Sequence, residues 1–154
     1  MSSDAIVMLK EDHKRFREMF RQMDDLKSEG GPRLEALMAE ICHELTTHGK
    51  LEEEIFYPAA VLGVTDQGII HEADEEHHIA ELLMGEILGS SPDEPRYIAK
   101  CTVLKELVLH HIEEEEEDLF PKVREAAGRA RLQEIGQQMA ERRKELDKLR
   151  PVSV

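Results

Sequence analysis

The sequence predicts an all-α protein, and both its composition and its hydrophobic spacing indicate that class. Leu, Met, Glu, Lys, Arg and Ala are abundant, whereas aromatic residues make up only 4% of the chain and tryptophan is absent. Such a composition favours helices over strands. Three segments rich in glycine, proline and serine separate four stretches long enough to be helices. The predicted fold is therefore an up-down-up-down antiparallel four-helix bundle with an additional C-terminal amphipathic helix.

The chain of 154 residues is long enough for one domain with a buried core. Residues 1–126 are predicted to form the bundle, and residues 127–154 the additional helix. Apolar residues of this last segment are spaced like one face of a helix: Leu132, Ile135, Met139, Leu146 and Leu149. We expect that face to pack on the bundle or on a second subunit, which gives a monomer or a homodimer.

Each of the four predicted bundle helices has an apolar seam with alternating three- and four-residue spacing. One histidine lies on every seam, and two seams also carry a glutamate. A buried polar group without a partner costs roughly 2–7 kcal/mol, so such residues at one level of a bundle need compensation. The four seams are Ile6, Leu9, His13, Phe16, Phe20 and Met23; Leu34, Leu37, Ile41, Leu45, His48, Glu52, Ile55 and Ala59; Ile70, Ala73, His77, Ala80, Met84 and Ile87; and Cys101, Leu104, Val108, His111, Glu115 and Leu119.

The polar seam residues repeat as one unit written twice. His48 and His111 each carry a glutamate four residues later and a proline ten residues later, and each follows another histidine one helix upstream. A helix turns once per 3.6 residues, so a histidine and a glutamate four apart share a face and can bind one ion. Six ligands are too many for one tetrahedral ion and suit two ions, with the glutamates spanning the pair. The predicted metal ligands are His13, His48, Glu52, His77, His111 and Glu115.

These motifs resemble the hemerythrin-like (HHE) cation-binding domain over about residues 5–125. The motifs in this sequence are Asp12-His13, His48-x-x-x-Glu52-Glu53, Glu76-His77 and His111-x-x-x-Glu115-Glu116, closed by Phe56-Tyr57-Pro58 and Leu119-Phe120-Pro121. The resemblance implies two non-haem iron ions, joined by an oxo or hydroxo bridge, that bind or react with oxygen, peroxide or nitric oxide. It further implies a role in redox or oxidative-stress response, sensing, or oxygen and iron handling. The nitrogen and oxygen ligands suit iron or manganese, of which we favour iron.

Two departures from the oxygen-carrying hemerythrins reduce the number of ligands. Those proteins have a second histidine four residues from the third-helix histidine, where this chain has Ala73 and Glu81. They also place an aspartate five residues after the fourth-helix histidine, and that position is Glu116 here. Fewer nitrogen ligands leave open positions on the metal and disfavour reversible oxygen carriage. We expect Ala73 to mark the vacant place, with Glu81 as the alternative ligand.

Residues beside the six ligands have open or lesser roles. Glu53 and Glu116 either accept a hydrogen bond from a ligand imidazole or face solvent. Tyr57 is off the seam by one residue, and we expect it to be a packing residue at the bundle edge. The expected apolar wall of the site consists of Phe16, Phe20, Ile55, Phe56, Leu119 and Phe120.

Two other functions are compatible with parts of the sequence. A ferritin-like carboxylate oxidase needs Glu-x-x-His on two helices, and Glu40-x-x-His43 and Glu75-x-x-His78 match that string. A metal-free interaction bundle would instead use the acidic surface and the last helix.

Charge and segment composition exclude further classes. The formal net charge of −14 makes nucleic acid and anionic membrane surfaces unfavourable partners. A basic-then-apolar signal segment is not evident, and no apolar run approaches transmembrane length, so we expect a cytoplasmic protein. Cys42 and Cys101 lack a metal or disulfide spacing and are expected in the core.

Overall fold

The computed structural model describes residues 4–150, and within that range it contains helices and no strand. Residues 1–3 and 151–154, at the outer ends of the two predicted parts, lie outside the described residues. Two π-helical turns, Glu52–Phe56 and Glu115–Leu119, join α2 to α3 and α5 to α6 without a break in the chain's helical path. The predicted antiparallel four-helix bundle with a C-terminal helix is confirmed. Its α-helices are α1 (Ala5–Leu26), α2 (Gly31–Leu51), α3 (Tyr57–Val61), α4 (Gln67–Leu88), α5 (Tyr97–Glu114) and α6 (Phe120–Lys148).

The loops between these helices fall at the three predicted breaks. The side chain of Asp4 accepts a hydrogen bond from the Val7 N–H at 2.9 Å and so caps the start of α1. Gly30 and Gly31, before and at the start of α2, have φ angles of 61° and 71°. Only glycine adopts that left-handed region at little cost, so this turn depends on both glycines.

The predicted seam of α1 and the seam that begins in α5 are buried throughout, whereas the seam of α2 contains half-buried Leu37 and Leu45 and changes position at its π turn. All six seam residues of α1 are buried, from Ile6 to Met23. After Glu52, however, Phe56 and Ala60 are buried in place of the predicted Ile55 and Ala59, which are only half-buried. A π turn bonds each residue to the fifth one before it and thereby inserts one extra residue. The buried face therefore shifts by one position beyond Glu52.

Two apolar clusters lie above and below a layer of buried polar side chains. Residues of α1 show the order, since Leu9 belongs to the lower cluster, Phe16 belongs to the upper cluster, and His13 lies between them. Full burial of one Leu or Phe side chain contributes about 1.5–3 kcal/mol, so these two layers hold the polar layer in place. The upper cluster contains Cys42 and Cys101, as predicted, and the lower cluster contains residues of α6.

The C-terminal helix packs against α1 of its own bundle. Leu132, Ile135, Met139 and Leu146 are buried there, as predicted, whereas Leu149 is 73% exposed and does not belong to the packed face. Gly128 has φ 78° and ψ 169°, which kinks α6 close to the predicted division after residue 126. That division itself stays a prediction.

None of the helices in residues 4–150 is long and apolar enough to cross a membrane. Their outer faces carry ion pairs such as Arg33–Glu29 and Lys122–Asp118. Exposed pairs of this kind stabilise a protein by at most about 1 kcal/mol each. The buried layers, rather than these surface pairs, stabilise the bundle.

Candidate metal centre

The structure brings all six predicted ligand residues together in the buried polar layer. Helix α1 supplies His13, α2 supplies His48, α4 supplies His77 and α5 supplies His111. The two glutamates are the first residues of the two π turns. His13 and Glu52 are 0% exposed, and even the most accessible of the six side chains, His77, is only 10% exposed.

The six residues sort into two groups of three. His13, His48 and Glu115 form one group, here called the first half-site, and Glu52, His77 and His111 form the second half-site. Within each group one donor atom from every residue lies within 4.8 Å of the others. In the second half-site, His77 Nε2 is 3.0 Å from Glu52 Oε1 and 3.2 Å from His111 Nε2. Ligands about 2.1 Å from one ion lie about 3.0–3.4 Å from each other, so this spacing suits a shared cation.

Both glutamates also face the opposite half-site. Glu52 Oε1 lies 3.3 Å from Nε2 of His48, which belongs to the first group. Glu115 Oε1 lies 3.2 Å from His13 Nε2 and 3.4 Å from His111 Nε2. A carboxylate offers two oxygens, so each of these side chains is placed to contact ions in both half-sites.

Buried donor atoms without hydrogen-bond partners show that the site is chemically incomplete as protein alone. Within residues 4–150 these include Nε2 of His13 and of His48, Nδ1 of His77, Oε2 of Glu52 and Oε1 of Glu115. Each unsatisfied buried polar group costs about 1–3 kcal/mol. Bound cations would satisfy four of these five atoms, namely the two Nε2 nitrogens and the two carboxylate oxygens, whereas Nδ1 of His77 faces Glu53 at 3.6 Å. The residues therefore fit two such ions.

A ring of four further carboxylates stands behind the four imidazoles. Each of these acids is a sequence neighbour of a ligand on its own helix and contacts the histidine of a different helix. Three of the contacts are hydrogen bonds, which fix the orientation of the imidazole and direct its Nε2 into the site. Of the two roles left open for Glu116, the structure shows the hydrogen bond to a ligand imidazole, whereas Glu53 lies beyond hydrogen-bond distance. The four pairs are His13 Nδ1–Glu116 at 2.6 Å, His48 Nδ1–Asp12 at 2.8 Å, His111 Nδ1–Glu76 at 2.8 Å and His77 Nδ1–Glu53 at 3.6 Å.

Tyr57 lies inside the centre, so its prediction as a packing residue at the bundle edge is wrong. The side chain is 2% exposed, and its hydroxyl is 2.7 Å from Glu115 Oε2 and 3.2 Å from Glu52 Oε1. The same hydroxyl is 3.2 Å from His77 Nε2 and 3.3 Å from His111 Nε2. It therefore sits among the donors of the second half-site.

The π turn is the physical reason for this error. The Tyr57 N–H donates to the carbonyl of Glu52, five residues earlier, so the phenol is rotated onto the ligand face. The internal repeat contained the missing signal, because it aligns Tyr57 with Phe120, a residue assigned to the wall of the site. Phe120 indeed stacks on His13, with ring centroids 5.7 Å apart.

The family model of the Hemerythrin HHE cation binding domain matches residues 4–123. This chain belongs to the hemerythrin HHE cation-binding family. An HHE cation-binding domain-containing protein from Mycobacterium kansasii has a similar solved structure, with a TM-score of 0.80 and 26% identity, over 96% of this chain and 89% of that one. A protein of Nostoc sp. (strain PCC 7120 / SAG 25.82 / UTEX 2576) named DNA nickase is 26% identical over 117 residues. Those residues are 76% of this chain and 32% of the Nostoc protein, so the chain spans about a third of that relative's length.

In this hemerythrin-like centre, burial disfavours the charged form of an imidazole or a carboxyl group. Contacts with neighbouring groups either oppose that effect or add to it, and the balance sets the direction of the pKa shift. For His48, the charge of Glu52 and the hydrogen bond with Asp12 outweigh burial and raise the pKa to about 10. For His111, the charge of Glu115 likewise outweighs burial and raises the pKa well above its usual range. Burial and then the charge of Glu52 raise the pKa of Glu115. Without cations, the imidazoles of His48 and His111 thus hold an extra proton near neutral pH, and cations would displace these protons on binding.

Apolar side chains enclose much of the centre, and a cavity extends to three of its histidines. Of the six predicted wall residues, all are buried except Ile55, which is half-buried. A cavity of about 50 Å³ runs between α2, α4 and α5 and reaches His48, His77 and His111. Gly49, Ala80 and Met84 are among the residues that line it, so a molecule of a few atoms would meet apolar surface before it met the imidazoles.

The two places considered for the missing third-helix ligand differ in the structure. Ala73 is 4% exposed and, with His111 and Glu115, lines a small cavity of about 10 Å³. Glu81 is exposed and lies at the wall of the larger cavity. Ala73 thus lies in the interior beside His111 and Glu115, whereas Glu81 lies at the surface.

The residues of the ferritin-like alternative do not join the centre. Glu40 pairs with Arg150 on the surface, and His43 is half-buried outside both ligand groups. Glu75 and His78 are exposed on α4. These two Glu-x-x-His strings therefore occur on helix faces that are directed away from the centre.

Proposed function

We propose that this protein holds two transition-metal ions, preferably iron, and uses them to bind and reduce a small oxidant such as oxygen, peroxide or nitric oxide. The observation that carries the proposal is the pair of buried three-residue groups whose two glutamates each face both halves. The donors are nitrogen and oxygen atoms, while Cys42 and Cys101 lie in the upper apolar cluster. Such a ligand set suits iron or manganese better than a structural zinc ion.

Each residue has a defined task in this proposal. His13 and His48 hold one ion and His77 and His111 the other, while Glu52 and Glu115 contact both. In the reduced state, a bound iron pair would supply the electrons that the oxidant takes up and would itself become oxidised. Asp12, Glu76 and Glu116 keep a proton on Nδ1 of His48, His111 and His13 respectively and leave Nε2 of each ring free to bind.

Tyr57 is the proposed proton donor of the centre. Burial, together with the charges of Glu115 and Glu52, raises the pKa of its hydroxyl well above the usual value. The phenol therefore keeps its proton at neutral pH and can donate it to a small molecule beside His77 and His111. The apolar cavity leads to this half-site, so the oxidant and the proton would meet there.

The ligand count favours reduction over reversible carriage, because four imidazoles leave more open positions than the five of the oxygen-carrying hemerythrins. DNA cleavage, which the name of the Nostoc relative indicates for that protein, does not fit this chain. The net charge of −14 opposes binding to a phosphate backbone.

Metal analysis joined to an optical spectrum tests the proposal directly. Protein from iron-supplemented cells should contain about two irons per chain, and oxygen added to the reduced protein should produce a near-ultraviolet absorption band. His48→Ala should lose about half or more of the iron, while the control His43→Ala, outside the centre, should keep it. Wild-type protein with under about a tenth of an equivalent of iron and no band would reject the proposal and support a metal-free bundle.

A further inference from the structure

Carboxylates behind the first half-site contact guanidinium groups. Asp12 Oδ2 accepts a hydrogen bond from Arg143 Nη2 at 2.6 Å, and the same oxygen lies 2.8 Å from His48 Nδ1. Glu116 Oε1 accepts from Arg17 Nη2 at 3.1 Å, while its other oxygen binds His13 Nδ1. Both imidazoles of this half-site are therefore backed by an acid whose charge is shared with an arginine.

Carboxylates behind the second half-site have no such partner. Within residues 4–150, neither Glu53 nor Glu76 has a lysine or arginine nitrogen within 4.0 Å. Three acids surround each half-site when its own ligand glutamate is included. The acids of the first half-site face the guanidinium groups of Arg15, Arg17 and Arg143. In the part of the chain that the structure describes, the acids of the second half-site face no guanidinium group.

We propose that this difference makes the two half-sites unequal, so that the second half-site binds a divalent cation first and more tightly. Arg17 and Arg143 touch no ligand and act as positioning residues, through Glu116 and Asp12. The inference rests on the proposed two-ion centre. Two effects lower the cation affinity of the first half-site. The guanidinium charge repels a cation there. In addition, an acid that is shared with an arginine accepts the Nδ1–H less strongly, which makes the imidazole a weaker ligand.

Arg143 extends the centre beyond the part of the chain that the family model matches. It belongs to α6, whereas the match ends at residue 123. Buried Met139 and Leu146 lie on either side of it along the helix and hold this stretch against the bundle. The C-terminal helix thus contributes a charge to the metal centre as well as apolar packing.

Arg142 provides a matched control one residue away on the same helix. Its guanidinium binds Glu54 at 2.9 Å and Glu145 at 3.0 Å, and neither of these residues touches a ligand histidine. Arg142→Gln removes the same charge from the same helix without touching Asp12. Arg143→Lys keeps the charge that Arg143→Gln removes.

The test is a titration of the metal-free protein with Co²⁺ under nitrogen, followed by calorimetry and visible absorption. Wild type should bind two Co²⁺ in two steps, the first about tenfold tighter. His48→Ala leaves only the second half-site intact, and His111→Ala leaves only the first. The remaining site of His111→Ala should therefore bind Co²⁺ more weakly than the remaining site of His48→Ala. Added to His111→Ala, Arg143→Gln should tighten that site about three- to tenfold, while Arg143→Lys and Arg142→Gln leave it unchanged.

Equal affinities in the two single-site variants, or weaker Co²⁺ binding on Arg143→Gln, would overturn the inference. The second of these results would show that Arg143 only holds His48 in place. If circular dichroism shows that a histidine variant does not fold, the test uses the chain with both half-sites intact. In that chain, Arg143→Gln must make the Co²⁺ affinities of the two binding steps more nearly equal than they are in wild type. Less than one Co²⁺ bound by wild type would instead reject the two-ion proposal itself.

Discussion

The Tyr57 hydroxyl lies 2.7 Å from Oε2 of Glu115, so a residue of the first repeat contacts the carboxylate ligand of the second. The equivalent position of the second repeat is Phe120, which stacks on His13 and has no hydroxyl. The internal two-fold repeat is thus broken here by a single oxygen atom. That atom is placed where the proposed chemistry needs a proton.

Tyr57→Phe is expected to separate chemistry from metal binding. Phenylalanine keeps the ring that packs against His77, and Phe120 shows that this position of the repeat accepts it. Iron content should stay unchanged, while the rate at which peroxide oxidises the reduced protein should fall about tenfold to a hundredfold. Stopped-flow absorption measures that rate.

Tyr97→Phe is the control for this variant. Tyr97, the second of two tyrosines in the chain, is buried in the upper apolar cluster away from the ligands. Its substitution should leave the oxidation rate at the wild-type value. Equal rates in wild type and Tyr57→Phe would show that the hydroxyl is not the proton donor.

Spacing in the sequence was sufficient to predict the four helices and the six inward residues, because burial follows helical periodicity. The π turns escaped prediction, since α-helical periodicity was carried through Glu52 and Glu115 without a break. One extra residue per turn then moved Phe56 and Tyr57 onto the buried face. Burial of two glutamates among histidines stabilises a helix distortion that local propensity does not specify.

The contacts of the carboxylates behind the imidazoles were only partly predictable from the sequence. Asp12 and Glu76 stand next to ligand histidines in the sequence, but each contacts the histidine of another helix, His48 and His111 respectively. Helix rotation and packing decide such contacts between helices. The contact of Arg143 with Asp12 could not be predicted, because nothing in the C-terminal segment itself indicates which bundle helix its side chains reach.

Removal of the metal is expected to lower the thermal stability of the fold. Cations that bind only the folded state stabilise it by about 2.7 kcal/mol per site at a hundredfold excess over Kd. For a chain of this size the melting temperature should rise by about 5–10 °C per ion. Circular dichroism melts with chelator and with Mn²⁺ measure the change, and His48→Ala should lose part of it. Identical melting temperatures with and without the ion would contradict a site built from buried ligands.

Both cysteines are expected to be unreactive in the folded protein. Burial, followed by the nearby Cys101, raises the pKa of Cys42 to about 12, and burial raises that of Cys101 to about 11. Because the folded state disfavours the thiolate, stability should be unaffected below the unfolded thiol pKa of about 8.5 and should fall as the pH rises above it. A thiol reagent at pH 8 should label neither residue until denaturant is added. Rapid labelling of the native protein would show that the upper cluster opens.

The C-terminal helix is expected to contribute to the stability of the whole domain. Leu132 is 0% exposed and packs in the lower cluster with residues of α1, so Leu132→Ala should cost about 2–5 kcal/mol of unfolding free energy. Leu149, directly after the end of the same helix, is 73% exposed, and Leu149→Ala should change stability by less than about 0.5 kcal/mol. Urea unfolding followed by circular dichroism gives both values. A single unfolding transition that moves to lower urea concentration in Leu132→Ala but not in Leu149→Ala would show that α6 unfolds together with the bundle. Two separate transitions would show instead that the segment after Gly128 is an independent unit.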